Sequence, residues 1–160
     1  MDLRYHTPLS PEDQRALGID PVAPLAMADQ VRFSELDALQ HVNNAVYMEW
    51  FERLRVRYVQ ECGLSRYRDD GSDPRIVIRS GTIHYRQEML MDETYVVTCA
   101  CAAFRNTSFT LAQRLWSGGT LRATFDCVIV LLEHDGSARF ALPEALKTRF
   151  REIDGARPET

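Results

Sequence analysis

The residues best suited to chemistry lie near residue 40, where a carboxylate comes shortly before the predicted start of a helix. Asp37 stands about six residues before a helix that is predicted to begin at Asn43 and Asn44. A helix N-terminus presents unpaired backbone N–H donors and a partial positive charge. A carboxylate beside such donors pairs a base with a site for a developing oxyanion, which is what acyl transfer from sulfur requires.

Each of these residues also has a simpler structural role. Asp37 would stabilise the turn before the helix by accepting hydrogen bonds from backbone N–H groups. Asn43 and Asn44 are good helix caps, and His41 would serve equally well as a buried imidazole satisfied by the backbone. The residue types alone leave catalysis and local structure as open alternatives.

The helix that positions these residues is recognised by the period of its apolar side chains. They recur at three- and four-residue intervals, whereas charged residues such as Glu49 and Glu52 fall off the stripe. The stripe consists of Tyr47, Trp50, Phe51, Leu54 and Tyr58. Gly63 favours the left-handed conformation that ends helices, so we expect a helix of about four to five turns with a buried aromatic face.

The rest of the chain shows strand patterns with short connections. β-Branched and aromatic residues fill 76–87, and period-two alternation runs through 93–104, 107–116 and 121–131. The short turns between these runs predict an antiparallel meander, and residues 143–150 are predicted to form a terminal helix. One helix and one antiparallel sheet make an α+β fold in which the sheet wraps around the helix.

We expect a single domain in this chain of 160 residues, with looser segments at both ends. Residues 1–30 are predicted to form an N-terminal arm laid on the surface, with a short helix over 11–17 that Ser10 would cap. The first strand is placed at Val31–Phe33, the domain at 31–152 and a frayed tail at 153–160. Long apolar strands would be left unpaired at the sheet edges, so at least a homodimer is expected.

The composition of the chain argues against some classes of binding partner. The net charge of −4 argues against binding a nucleic-acid backbone, and no apolar run approaches the roughly 20 residues that span a bilayer. The N-terminus lacks the pattern of a secretion signal, so we expect a cytoplasmic protein with no nucleic-acid or membrane partner. The four cysteines form no C-x-x-C pair and are expected to be buried thiols. His6, His84 and His134 show no spacing with carboxylates, so neither a metal nor another cofactor is expected.

A family signature is present in residues 37–47, which read DALQHVNNAVY. Preceded by Arg32-Phe33 and followed by the aromatic helix, this sequence resembles hotdog-fold acyl-CoA thioesterases of the 4-hydroxybenzoyl-CoA thioesterase and YbgC-like type. The likeness extends over about residues 31–150 and includes the Tyr85 strand and the acidic turn Asp92-Glu93. It implies the hotdog fold, in which one long helix is wrapped by a five- to six-stranded antiparallel sheet.

The resemblance also implies an activity, the hydrolysis of an acyl-CoA thioester to a free carboxylic acid and CoA. Asp37 matches the catalytic carboxylate, which acts as general base or nucleophile, while backbone N–H groups at the helix start hold the oxyanion. His41 and Asn43 match further catalytic positions that line the same pocket. Substrate-binding positions near the helix start would be Gln40, Val42, Asn44 and Tyr47.

The nucleotide end of coenzyme A has its own candidate residues in the turn that contains Arg105, Asn106 and Ser108. Arg binds phosphate through paired donors and Ser adds a hydroxyl, and related thioesterases place such residues there. Arg86 is a second candidate of the same kind. An exposed hairpin needs polar residues in any case, so a purely structural role stays open.

Two positions depart from related sequences. Residue 40 is Gln where many relatives have Gly, and residue 39 is Leu where plant-type acyl-ACP thioesterases carry Asn. The alternatives to an acyl-CoA thioesterase are an acyl-ACP thioesterase and a non-catalytic hotdog protein that binds acyl thioesters. The identity of the acyl group and the choice between homodimer and homotetramer do not follow from the sequence.

Overall fold

The computed structural model, which describes residues 1–68 and 70–160, contains one six-stranded sheet and one long helix. Its elements are α1 (Pro11–Ala16), β1 (Leu25–Gln30), a 3-10 turn (Phe33–Glu35), α2 (Asn44–Glu61), β2 (Arg75–Tyr85), β3 (Thr94–Phe104), β4 (Ser108–Ser117), β5 (Thr120–Leu132), α3 (Glu144–Glu152) and β6 (Arg157–Pro158). The strand order is β1-β3-β4-β5-β2, with β6 beside β3. This is the α+β hotdog fold that the sequence predicts.

The chain divides into two units of dense internal packing. The first unit comprises Met1–Arg55, Ile83–Cys99 and Gln113–Phe125. The second unit comprises Val56–Thr82, Ala100–Ala112 and Asp126–Thr160. Helix α2 and each of the strands β2 to β5 contribute residues to both units.

In the first unit, helix α2 buries its predicted aromatic stripe. The stripe residues there are at most 4% exposed: Tyr47, Trp50, Phe51 and Leu54. The Trp50 ring stacks on Tyr95 with 4.1 Å between ring centroids, while Glu49 and Glu52 face solvent. Full burial of one such side chain contributes roughly 1.5–3 kcal/mol. The amphipathic helix is thus confirmed, and its aromatic side fixes how α2 lies in this unit.

Most other predicted elements are confirmed to within about two residues at their ends. Ser10 caps α1 by accepting the N–H of Asp13 at 3.1 Å, and β4 alternates buried and half-buried residues along its length. Gly63 takes the left-handed conformation, with φ 71°, after the last turn of α2. The four cysteines are free thiols, three of them buried. Among the described residues, none of the helices has the length and apolar character needed to cross a membrane.

The first strand lies earlier than predicted, at Leu25–Gln30 and not at Val31–Phe33. It pairs antiparallel with β3, and its residues Ala26 and Ala28 are 0% and 1% exposed. The prediction that this part of residues 1–30 is an arm on the surface is therefore wrong. Alanine carries little strand propensity, so the segment gives a weak strand pattern although its small side chains suit a closely covered face of the sheet.

The C-terminal tail of the second unit is ordered, so the prediction of fraying beyond Glu152 is wrong. Asp154 Oδ2 accepts hydrogen bonds from the hydroxyl of Tyr58 and, at 2.7 Å, from the backbone N–H of Cys101. The tail then forms β6, which pairs parallel with β3 and places Arg157 opposite Ala103. One half-buried carboxylate and a two-residue strand produce no periodic pattern, which explains why the sequence did not reveal this order.

Replacing Asp154 with alanine should destabilise the protein, because the hydrogen bonds from the Tyr58 hydroxyl and the Cys101 N–H would be lost. Leaving the Cys101 N–H without an acceptor costs about 1–3 kcal/mol and the lost Tyr58 bond adds about 0.5–1.5 kcal/mol, so we expect the free energy of unfolding in urea to fall by roughly 2–4 kcal/mol. Glu152→Ala, at the exposed end of α3, should change it by less than about 0.5 kcal/mol. Equal effects of the two variants would show that this carboxylate does not hold the tail.

The difference in the free energy of unfolding between wild type and Asp154→Ala should depend on pH. Burial raises the pKa of the Asp154 carboxyl, so the native state holds its proton more tightly than the unfolded chain does. The stabilisation linked to this proton is fully present below the unfolded pKa and is lost as the pH rises through the folded pKa. The difference between wild type and Asp154→Ala should therefore be larger at about pH 4 than at about pH 7.

Candidate active site

Six of the predicted site residues line one open cleft in the first unit, called here the Asp37 cleft. It has a volume of about 460 Å³ and is lined by Asp37, His41, Val42, Asn44, Tyr47 and Arg86, and also by Tyr85, Gln87 and Glu88. The last three residues were not predicted from the sequence. Two segments therefore form the cleft: the turn that enters α2, and the end of β2 with the residues that follow it.

Asp37 stands in a tight turn that its own side chain helps to hold. Its Oδ1 accepts the N–H of Leu39 at 2.8 Å, and its backbone N–H donates to the carbonyl of His41 at 2.8 Å. The side chain is half-buried, and among the described residues Oδ2 has no hydrogen-bond partner. One carboxylate oxygen thus stabilises the turn, and the other is available to a molecule in the cleft.

Gln40 completes this turn in the left-handed conformation, with φ 65°. That conformation favours glycine, which is the residue common at this position in the sequences that the chain resembles, and it costs other residues roughly 1–2 kcal/mol. The turn therefore keeps the geometry that glycine would give. The Gln40 side chain is exposed and does not line the cleft.

Asn43 caps helix α2, as its residue type predicts. Its Oδ1 accepts the N–H of Ala45 at 3.0 Å, and its carbonyl accepts the N–H of Val46 at 2.9 Å. Its own N–H donates to the carbonyl of Glu35 at 2.9 Å. Asn43 does not line the cleft, so its place in the site is at the junction between the turn and the helix.

Asn44 supplies the open N–H group at the helix start. The neighbouring N–H of Val42 donates to the carbonyl of Met89 at 2.9 Å, and those of residues 43, 45 and 46 are bonded as described above. The N–H of Asn44, the first helical residue, has no acceptor among the described residues. It is therefore the donor at this helix end that is free to bind an oxyanion in the cleft.

Two tyrosines form an aromatic wall of the cleft. Their rings meet edge to face, with 5.0 Å between the centroids of Tyr47 and Tyr85, and the Tyr85 hydroxyl donates to the carbonyl of Asn44 at 3.0 Å. Burial raises the pKa of both hydroxyls. Both tyrosines consequently stay protonated at neutral pH and act as hydrogen-bond donors.

His41 and Glu88 are in polar contact at the cleft, with 3.0 Å between Nε2 and Oε2. Their side chains are 39% and 51% exposed. Glu88 was missed because it is far from residues 37–44 in sequence, and no local pattern indicates which later segment contacts the turn. This contact favours one orientation of the imidazole ring in the cleft that Asp37 also lines.

An ion pair between buried Arg122 and half-buried Glu93 holds the segment that carries Glu88. Arg122 donates to the carbonyl of Glu88 at 2.8 Å and to Glu93 Oε1 at 2.9 Å, and its own carbonyl accepts the N–H of Arg86 at 2.8 Å. Burial acts to raise the pKa of Glu93, but hydrogen bonds from Arg122 and the N–H of Leu90 outweigh it and leave the pKa below its usual value. Glu93 is therefore ionised at neutral pH, which keeps the pair intact.

The predicted nucleotide-binding residues lie in the second unit, in a groove of about 450 Å³ called here the Arg105 groove. It is lined by Arg79, Ser80, Ala103, Phe104, Arg105, Ser108, Phe109, Thr110, Val128 and Glu159. Arg105 Nε donates to Glu159 Oε2 at 3.4 Å. Asn106 does not line the groove, because its amide oxygen accepts from Lys147 Nζ and its carbonyl accepts the N–H of Leu142.

Comparison with known proteins identifies the family. Residues 31–150 match the model of the thioesterase-like superfamily. A thioesterase superfamily structure from Jannaschia sp. CCS1 is 38% identical over 98% of this chain and 99% of its own, with a TM-score of 0.91. A thioesterase from Thermus thermophilus, complexed with coenzyme A and Zn, is 28% identical over 83% of this chain and 96% of its own, with a TM-score of 0.71.

A Staphylococcus aureus protein in complex with CoA is 18% identical over 84% of this chain and 86% of its own, with a TM-score of 0.75, and supports the fold alone. None of the curated proteins matches the sequence. The superfamily match covers most of the chain, including the Asp37 turn and the residues of the Arg105 groove up to Val128. The chain therefore belongs to the thioesterase-like superfamily and is a thioester hydrolase of the hotdog fold.

Proposed function

We propose that the protein hydrolyses an acyl-CoA thioester to a free carboxylic acid and CoA in the Asp37 cleft. The observation that carries this proposal is the presence, in one cleft, of the Asp37 carboxylate and the free N–H of Asn44 at the helix start. A thioester oxygen bound at that N–H would be stabilised by the hydrogen bond and by the helix dipole as negative charge develops. The coenzyme A bound to the T. thermophilus relative supports CoA as the thiol.

Asp37 supplies the base. Its Oδ2 takes a proton from a water molecule as the water oxygen bonds to the thioester carbon, or the same Oδ2 attacks the carbon and a water molecule then hydrolyses the resulting anhydride. In both routes the C–S bond breaks, and the CoA thiolate leaves and takes up a proton. Because a thiolate is a good leaving group, one carboxylate is sufficient for this chemistry.

His41 acts beside this carboxylate as an orienting residue. Its Nε2 is held by Glu88, so in the neutral ring the proton is on Nε2 and Nδ1 is an acceptor. An acceptor at this position would help to orient the attacking water toward the thioester. Asn43 contributes by capping the helix, which keeps the Asn44 N–H in place.

The Arg105 groove is the proposed site for the nucleotide end of CoA. Two guanidinium groups, those of Arg79 and Arg105, line it together with the hydroxyls of Ser80, Ser108 and Thr110. Phosphate carries more charge than the Glu159 carboxylate that now accepts from Arg105, so a bound phosphate would replace that contact.

Strand β2 is the proposed surface for a homodimer. It lies at the edge of the sheet, nearly all of its residues are exposed, and its apolar side chains Val77 and Ile78 are each 41% exposed. An unpaired apolar edge of this length is a template for pairing with a second copy of the chain. Further pairing to a homotetramer stays open.

The activity should be tested with a panel of acyl-CoA and acyl-pantetheine thioesters. We expect Asp37→Asn to lower kcat by about 100-fold or more while KM changes little, because the carboxylate acts on water and not on the bound thioester. The matched control is Glu52→Gln, an exposed carboxylate on α2, which should keep the wild-type kcat. A lower KM for acyl-CoA than for acyl-pantetheine would support nucleotide binding. Hydrolysis of acyl carrier thioesters alone would support an acyl-ACP thioesterase, and binding without turnover a non-catalytic protein.

The oxyanion donor should be tested by proline substitution. Asn44→Pro removes the free N–H and keeps a residue suited to the first helical turn, so we expect kcat to fall about 10²- to 10³-fold. Ala45→Pro leaves the Asn44 N–H present and removes one that is already bonded to Asn43, so it should reduce stability by about 1 kcal/mol and lower kcat by much less than Asn44→Pro does. Single-turnover hydrolysis and thermal melts separate the two effects. Equal loss of rate in both variants would contradict the assignment of Asn44.

The oligomeric state should be tested by light scattering at micromolar protein concentration. We expect a mass of at least two chains for the wild type. Ile78→Lys places a charge on the exposed edge strand and should shift the mass toward that of one chain, because charged edge residues oppose strand pairing. A wild-type protein that is already monomeric would contradict the proposed dimer.

A further inference from the structure

Glu35 is a buried carboxylate close to the cleft that does not line it. It is 9% exposed and stands two residues before Asp37. Its Oε2 accepts the indole N–H of Trp50 at 2.7 Å, and its Oε1 accepts the backbone N–H of Arg32 at 2.9 Å. Its backbone carbonyl accepts the N–H of Asn43 at 2.9 Å. The proposed reaction uses none of these contacts directly.

These contacts join three parts of the first unit at one residue. Arg32 lies before the 3-10 turn, Asn43 lies at the helix start, and Trp50 lies in the body of α2, where its ring stacks on Tyr95. The residues between Glu35 and Asn43, which include Asp37, form a loop whose two ends are bonded to each other. The Glu35 side chain therefore ties the start of this loop to Trp50 in the body of α2, while backbone hydrogen bonds join the two ends of the loop.

A carboxylate is suited to holding these segments together, because each of its two oxygens accepts a hydrogen bond. Burying a carboxylate is unfavourable unless its oxygens are hydrogen-bonded, and here each oxygen accepts one N–H group. Hydrogen bonds to an ionised acceptor are shorter and stronger than those between neutral groups. An apolar residue at position 35 would pack in the same space and would not hold Trp50 and Arg32 at fixed distances.

We propose that Glu35 is a positioning residue that fixes the Asp37 carboxylate relative to the Asn44 N–H. This inference rests on the proposed function, because it concerns the distance between the proposed base and the proposed oxyanion donor. An error of about 1 Å in such a distance can lower a rate about 100-fold without a comparable effect on substrate binding. Glu35 therefore acts through Asp37 and not on the substrate.

Two variants test the proposal by kcat and KM for the best acyl-CoA substrate. Glu35→Gln keeps the shape but turns an amide N–H toward one of the two donors, and we expect kcat to fall about 10- to 100-fold with KM within about twofold of wild type. Trp50→Phe removes one donor and keeps an aromatic ring, and it should lower kcat in the same direction. The matched control is Glu49→Gln, an exposed carboxylate on the same helix, which should change neither constant.

The decisive measurement combines Glu35→Gln with Asp37→Asn. If Glu35 acts through Asp37, adding Glu35→Gln to the Asp37→Asn variant should lower its remaining kcat by less than about twofold. The proposal would be overturned if the fold-losses of kcat in the two single variants multiplied in the double variant. It would also be overturned if Glu35→Gln and Trp50→Phe both kept the wild-type kcat. A wild-type protein that hydrolyses no acyl-CoA would instead refute the proposed function. If Glu35→Gln does not fold, the same cycle is made with Trp50→Phe.

Discussion

Hydrogen bonding at the start of helix α2 is the constraint on which the rest of the site depends. A helix begins with N–H groups that have no acceptor within the helix, and at α2 Asn43 accepts from two of them. Two separate segments accept from the residues just before the helix. The carbonyl of Glu35 accepts from Asn43, and the carbonyl of Met89 accepts from Val42. These bonds bring together two segments that are far apart in sequence. They also leave the N–H of Asn44 open, so the same bonding that holds the helix start leaves the proposed oxyanion donor free.

The ion pair of Arg122 and Glu93 holds structure beside the Asp37 cleft without lining it. Arg122 and Glu93 fix the segment that carries Glu88. Burial raises the pKa of Tyr95 and of Cys101, so both groups stay neutral at positions that do not line the cleft. Asp37 is half-buried and keeps one oxygen available. The proposed catalysis therefore depends on the placement of a carboxylate beside a backbone donor.

Local patterns predicted the elements and part of the site. The three- and four-residue period identified α2, and the residue types around Asp37 identified a turn and a cap that the structure contains. Glu88 and the Arg122 pair could not be predicted, because their role depends on which distant segment contacts the turn. Strand β1 and the ordered tail at Asp154 were missed for a related reason, since each is held by contacts with β3 and not by a pattern of its own.

The openness of the Asp37 cleft connects the proposed reaction to the proposed dimer. A hydrogen bond from Asn44 to an oxyanion is weak in a water-filled cleft and much stronger where water is excluded. Strand β2 ends at this cleft with Tyr85, which is 47% exposed while its hydroxyl holds the carbonyl of Asn44. Pairing of this edge strand with a second copy would cover Tyr85 and the adjoining side of the cleft. Assembly would then strengthen the same hydrogen bond that the helix start provides, so the proposed dimer would contribute to the rate as well as to stability.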